Sequence, residues 1–140
     1  TQHRGTVVKT IGDAVMAAFP DDRTALEAAM AMSGAFPEFR RTRPHAARVS
    51  LKIGLYGGPC YVVGANGILD YFGQTVNVAA RLQAQAKDDQ VVITEALWDQ
   101  AASWGIDARV LEHLSANLKG IAEPMAIVRL GTIRPVSRPR

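Results

Sequence analysis

The sequence of 140 residues contains a single cysteine, few aromatic residues and no long apolar run, and each shortage excludes a class of protein. With Cys60 alone, no intramolecular disulfide can form, and a reducing compartment is indicated. No segment approaches the length of a membrane-spanning helix, and no signal peptide is visible. A cytoplasmic location is therefore expected for this domain, in a full-length protein that is either soluble or membrane-attached.

The positive charge of the sequence is concentrated at one end. The net charge is +3, and Arg134, Arg138 and Arg140 carry three of the positive charges, which leaves 3 − 3 = 0 for the rest. With an aromatic content of 6% as well, the body of the domain lacks the basic and aromatic face of a nucleic-acid-binding domain. We expect one domain over residues 1–131 and a disordered tail rich in Pro and Arg over 132–140.

Hydrophobic periodicity predicts an alternation of strands and helices. The first two strands should form a hairpin around Gly12-Asp13, and the first helix should begin at Asp21-Asp22 and end at Pro37. The polar segment 37–48, with four arginines, then reads as a solvated loop. Strands are predicted over 6–11, 14–19, 49–56, 60–64, 68–72, 90–94, 106–114 and 125–130, and helices over 24–36, 74–86 and 95–103.

The stretch from Gly64 to Gln83 concentrates the polar residues of interest. Asn77 and Arg81 are four apart, so on a helix they stand on one face, beside an apolar stripe of Val78, Ala79, Leu82 and Ala86. An amide and a guanidinium on a shared face can both address one phosphate group. Taken alone, the pair is also compatible with an ordinary solvated surface.

Four motifs, in this order, resemble the catalytic domain of class III nucleotidyl cyclases from about Gly5 to Leu130. They are VVKTIGDAVMAAF at 7–19, LKIGLYGGP at 51–59, DYFGQTVNVAARL at 70–82 and LKG at 118–120. The resemblance implies a ferredoxin-like α/β (α+β) fold, with a central, mostly antiparallel sheet and flanking helices. The strand pair within 49–64 would lie at the centre of that sheet. It also implies a head-to-tail homodimer with two active sites at the interface.

The resemblance assigns roles to residues of the first hairpin and of the central motif. Asp13 would be a ligand of a pair of divalent cations, Mg²⁺ or Mn²⁺, and carboxylate oxygens suit such ions. Lys9 and Asp70 would read the purine ring. A lysine can donate to N1 of adenine and a carboxylate can accept from its 6-amino group, so this pair favours ATP over GTP.

The remaining roles concern the reaction itself. By the same resemblance, Arg81 would stabilise charge on the α-phosphoryl group, Asn77 would orient the ribose, and Lys119 would bind the triphosphate. The activity implied is an adenylate cyclase, a lyase of signal transduction that forms cyclic AMP from ATP. Regulatory domains elsewhere in the full-length protein are expected partners.

One departure from the family pattern is evident. Cyclases of this class carry a first metal-binding aspartate in a motif like FxDIxGFT, which would precede Thr1 and is not in the sequence. The chain alone would therefore be inactive unless that segment is supplied. Three alternatives stay open: a non-catalytic cyclase-like module that binds nucleotide or a partner, a guanylyl cyclase, and a nucleic-acid-binding domain of similar shape.

Overall fold

The computed structural model describes residues 5–11, 14–44, 50–58, 61–65, 68–72 and 74–132, and for the strand residues 6, 8–11, 61–65 and 68–72 it describes the backbone. Within these residues, eight strands and three helices follow one another. They are β1 (Thr6–Ile11), β2 (Ala14–Ala18), α1 (Asp22–Thr42), β3 (Lys52–Gly54), β4 (Tyr61–Ala65), β5 (Ile68–Phe72), α2 (Gln74–Ala84), β6 (Gln90–Thr94), α3 (Glu95–Ala101), β7 (Arg109–Ala116) and β8 (Met125–Gly131).

The described strands form a four-stranded sheet and two hairpins. The sheet has the order β3-β6-β8-β7, in which β3 runs parallel to β6 and the other neighbours are antiparallel. β1 pairs with β2 and β4 with β5, both antiparallel. The predicted mixed, mostly antiparallel fold is therefore confirmed. Among the described strands, β3 lies at the edge of the four-stranded sheet and β4 pairs with β5, so the central position expected for the strand pair within 49–64 is not observed.

The core lies on both faces of β6 and β8. Because side chains alternate along a strand, Val91 and Ile93 face α1 and α3, whereas Val92 faces α2. All three side chains are fully buried. The run QVVIT therefore reads as an uninterrupted apolar segment, since helices cover the sheet on both sides. The buried residues of the α2 face are Val78, Leu82, Ala86, Val92, Ala116, Leu118 and Ile127.

Helix α1 begins as predicted but ends later than predicted. The Asp21 carboxylate accepts a hydrogen bond from the Thr24 backbone N–H at 2.8 Å and caps the helix. The predicted apolar face, Leu26, Ala29, Met30 and Ser33, is buried. The helix then continues through Pro37 to Thr42, so the predicted stop at Pro37 and the predicted loop over 37–42 are wrong.

A distant contact explains why α1 continues past its proline. Arg40 donates to Asp89 from both terminal guanidinium nitrogens, each bond 2.7 Å long, and Ser33 donates to the Asp89 carbonyl. These contacts fix the last turns of the helix against the turn that precedes β6. They offset the backbone hydrogen bond that a proline inside a helix removes.

Helix α3 is capped by Thr94, which accepts from the Leu97 N–H at 3.1 Å, and Trp98 and Trp104 pack against the core. The predicted turn at Gly12-Asp13 and the predicted tail beyond Thr132 lie outside what is described.

Candidate active site

Helix α2 carries the residues to which the sequence pointed first. Its apolar stripe is confirmed: Val78 and Leu82 are buried against the sheet, and Ala86, just after the helix, is buried with them. Asn77 and Arg81 lie on the same helix and are exposed to solvent. The helix thus separates a packing side from a polar side, which leaves the amide and the guanidinium able to meet a ligand.

The predicted triphosphate lysine lies in a constrained turn. Leu118 is buried in the same cluster as the apolar stripe of α2, and Gly120 has a φ of 81°, which favours glycine. The Ile121 N–H donates to the Leu118 carbonyl at 3.0 Å and closes the turn. Lys119, between the buried leucine and the glycine, is exposed. The turn is therefore anchored to the α2 side of the sheet while its lysine stays in solvent.

The predicted base-reading residues lie on the two hairpins. Lys9 is on β1, opposite Met16, and Asp70 is on β5, opposite Val63. β1 approaches β5, and β5 in turn contacts α2, so the backbone brings both hairpins to the side of this helix. The side chains of Lys9 and Asp70, and the whole of Asp13, lie outside the described residues, and their roles stay predictions.

A cation site is not completed by the part of the chain that is described. Within it, no three His, Cys, Asp or Glu residues lie close enough together to hold a metal ion. The predicted ligand Asp13 is not among those residues. The fit of a divalent cation therefore depends on Asp13 and on ligands that the described residues do not supply.

Two residues that the sequence analysis did not single out hold α2 in place. Gly54 of β3 lies directly against the α2 backbone, and an added Cβ would come within 2.1 Å of the Gln83 nitrogen. Arg129 of β8 donates from Nε to the Gln85 carbonyl at 2.8 Å, just beyond the helix end. Arg129 had a visible signal, because it interrupts the apolar run MAIVRLG. The sequence around Gly54 carried no signal that could distinguish close packing of a helix from close approach of a ligand.

Family comparison agrees with the motifs, the fold and the exposed polar helix face. The family model for the adenylate and guanylate cyclase catalytic domain matches residues 1–125. The chain therefore belongs to this family of cyclase catalytic domains.

Individual curated proteins and solved structures are similar to most of this chain. An uncharacterized protein of Mycobacterium tuberculosis is 35% identical over 126 residues, which cover 90% of this chain and 30% of that protein. A solved adenylate/guanylate cyclase/hydrolase of Silicibacter pomeroyi is 26% identical with a TM-score of 0.76, covering 94% of this chain and 74% of that one.

A third solved structure with the same fold is named as a guanylate cyclase domain. The guanylate cyclase domain from Catenaria anguillulae, solved with GTP, has a TM-score of 0.70 at 21% identity over 95% of this chain and 75% of its own. At that identity it supports the fold and nothing more specific. The chain spans 16% and 30% of the length of two of the curated relatives it matches. Among the described residues, no helix has the length and apolar character needed to cross a bilayer.

Proposed function

We propose that this domain is the catalytic part of an adenylyl cyclase, which converts ATP to 3′,5′-cyclic AMP and pyrophosphate. The observation that carries the proposal is the exposed pair Asn77 and Arg81 on α2, in a chain that belongs to the cyclase family. In the reaction, the ribose 3′-hydroxyl oxygen bonds to the α-phosphorus and the bond to pyrophosphate breaks. The hydroxyl proton leaves to a substrate phosphate oxygen.

The polar face of α2 would supply two effects. Arg81 would place a permanent positive charge beside the α-phosphoryl oxygens, where negative charge builds in the transition state. Asn77, one turn earlier, would hold the ribose so that its hydroxyl stands in line with the phosphorus. Lys119, exposed on its anchored turn, would neutralise the remaining phosphates. Each effect depends on a fixed helix rather than on a mobile loop.

Substrate choice would come from the two hairpins. Lys9 and Asp70 lie on strands that approach one another, and their chemistry matches the acceptor N1 and donor 6-amino group of adenine. GTP presents a protonated N1 and a carbonyl there, which an acidic side chain would repel. Because relatives of the same fold include guanylate cyclases, GTP is the second candidate substrate.

A second subunit and divalent cations would complete the site. Val7 and Val15 of the β1–β2 hairpin are 61% and 63% exposed, an apolar surface that a head-to-tail homodimer would cover. When bound near Asp13, a pair of Mg²⁺ or Mn²⁺ ions would neutralise the phosphates and lower the pKa of the ribose hydroxyl. We place the domain in the cytoplasm, as part of a signalling protein whose other domains regulate it.

Product analysis tests this proposal directly. The full-length gene product is incubated with ATP or GTP, in Mg²⁺ or Mn²⁺, and cyclic nucleotides are separated and quantified. We expect cyclic AMP to exceed cyclic GMP, and Lys9→Ala and Asp70→Ala to reduce that preference. If neither substitution changes the ratio of activity with ATP to activity with GTP, the assignment of Lys9 and Asp70 as the base-reading pair is contradicted. Nucleotide binding without any turnover would instead favour the non-catalytic regulatory module.

The dimer has its own test. Val15→Asp places a charge on the exposed face of β2 and should shift the protein toward monomer in sedimentation velocity, with loss of cyclase activity. Lys52→Gln, at an exposed position on β3, lowers the net charge by the same one unit and is the charge-matched control. Full activity of a purely monomeric protein would contradict the shared site.

A further inference from the structure

A glycine of β3 allows the four-stranded sheet to approach the backbone of α2 closely. A Cβ on Gly54 would lie 2.1 Å from the Gln83 nitrogen, 2.5 Å from the Ala79 carbonyl oxygen and 2.6 Å from the Gln83 Cα. All three are backbone atoms of the helix, so no side chain can rotate away. The lack of a side chain at Gly54 therefore sets how closely α2 can lie on β3.

The carboxyl-terminal end of α2 is held by a second contact, from β8. Arg129 is only 9% exposed, and its Nε donates to the Gln85 carbonyl, which belongs to the turn that follows the helix. Its guanidinium also pairs with the Glu112 carboxylate on the neighbouring strand β7. The cation thus satisfies a carbonyl at the negative end of the helix dipole and is itself held by an acid.

We propose that Gly54 and Arg129 are positioning residues that fix α2, and with it Asn77 and Arg81, relative to the bound nucleotide. Gly54 sets the distance of α2 from the sheet. Arg129 fixes the carboxyl-terminal end of α2 through Gln85, which lies four residues after Arg81. Neither residue needs to touch the substrate. This inference rests on the proposed function, in which the polar face of α2 acts on the triphosphate and the ribose.

Geometry makes the expected effect large. Backbone contacts closer than 3.0 Å do not persist, so an alanine at Gly54 has to move α2 from β3 by about 1 Å in a packed interior. A misplacement of about 1 Å in a positioning element can lower a rate by about 100-fold. Because the displaced residues act on the reacting groups, kcat should fall much more than the apparent affinity for ATP.

A double-mutant cycle separates positioning from general damage. We expect Gly54→Ala to lower kcat by about 100-fold with KM for ATP within about threefold. In that background, Arg81→Ala should cost at least tenfold less than it does in the wild-type protein, since the arginine is already misplaced. Independent, multiplicative losses would overturn the proposal for Gly54.

Arg129 provides a second route if Gly54→Ala does not fold. Arg129→Met removes the bond to the Gln85 carbonyl and should lower kcat by about tenfold, whereas Arg129→Lys keeps the charge and should recover part of that loss. The control is Val91→Ala, a buried site on the face of the sheet away from α2. This substitution should lower the Tm, and at temperatures below the Tm it should leave kcat within about twofold of the wild-type value. A kcat loss that follows the Tm in all three variants would overturn the role of Arg129.

Hydrogen exchange distinguishes failure of this inference from failure of the proposed function. Gly54→Ala or Arg129→Met should accelerate amide exchange in α2 by about tenfold or more and leave α3 unchanged. Unchanged exchange in α2 would overturn the positioning role even in an active enzyme. Accelerated exchange in a protein without cyclase activity would support the role of Gly54 and Arg129 in holding α2 and would overturn the proposed function.

Discussion

The four-stranded sheet and the β1–β2 hairpin are built from similar apolar residues, yet they bury them very differently. Val92 and Val128 of the sheet have no exposed surface, whereas Val7 and Val15 of the hairpin are 61% and 63% exposed. Helices cover both faces of the sheet, so its stability is internal. A two-stranded hairpin with an exposed apolar face gains little from its own packing and is suited to burial against another surface.

This difference also divides the proposed chemistry. Asn77, Arg81 and Lys119 belong to elements that share the buried cluster of the sheet. Lys9 and Asp70 lie on strands of the two hairpins, and Asp13 is outside the described residues. The charge-stabilising groups would therefore be fixed by folding of one subunit, while the base-reading and metal-binding groups would take their final positions only when the second subunit is present.

The largest effect that tests the comparison is a core truncation. Ile127→Ala removes a fully buried side chain beneath α2 and should lower the free energy of unfolding by about 2–5 kcal/mol. Val15→Ala on the exposed hairpin face should change the free energy of unfolding of the monomer, measured at low protein concentration, by no more than about 0.5 kcal/mol. Urea denaturation of both variants measures the difference. Equal losses would contradict the distinction between the two regions.

A smaller effect is expected at the contact that holds the end of α1. The hydrogen bond from Arg40 lowers the pKa of Asp89, and the Leu51 N–H donates to the same carboxylate at 3.1 Å. Asp89 has a φ of 61°, which asparagine also tolerates. Asp89→Asn should therefore keep the turn while lowering stability by about 1–3 kcal/mol at pH 7.

The pH dependence of that loss follows from the direction of the shift. A carboxyl whose pKa is lowered by folding stabilises the protein above its ordinary value of about 3.9 and loses that contribution as the pH falls through the folded-state pKa. Wild type and Asp89→Asn should thus differ fully at neutral pH and converge in acid. Asp88→Asn, at the exposed neighbouring position, is the control and should show little effect. A constant difference down to pH 2 would contradict the assignment.

The smallest effect concerns a helix cap on the sheet side. Thr94→Ala removes the acceptor for the Leu97 N–H and should cost about 1 kcal/mol, without changing KM for ATP. Thr94→Ser keeps the acceptor and should cost less. Thermal unfolding of the two variants measures the difference. No difference between alanine and serine would show that the cap does not contribute.

Local chemistry made most of the fold predictable. The helix start at Asp21-Asp22 and the strand at 90–94 depend on residues close in sequence, and the structure confirms both. The end of α1 was not predictable from Pro37, because Arg40 and Asp89 decide it across 49 residues. Similarly, a glycine at position 54 signals close approach, but only the tertiary structure reveals that the approaching group is a helix.

The candidate site was predictable to a different degree in its two halves. Helical spacing placed Asn77 and Arg81 on one face, and both residues are exposed on α2 as expected. Their partners Lys9, Asp13 and Asp70 come from other segments, and spacing along the chain carries no information about how side chains from separate hairpins converge. Their roles rest on the family resemblance and remain predictions.

The most direct measurement is steady-state cyclase kinetics of Arg81→Ala in the full-length protein. We predict that kcat falls by about 100- to 1,000-fold, as for loss of a transition-state charge partner, while KM for ATP changes by less than about threefold. Gln83→Ala, an exposed change on the same helix, is the control and should retain near-normal turnover. Equal turnover in the Arg81→Ala protein and the wild type would contradict the role given to the polar face of α2.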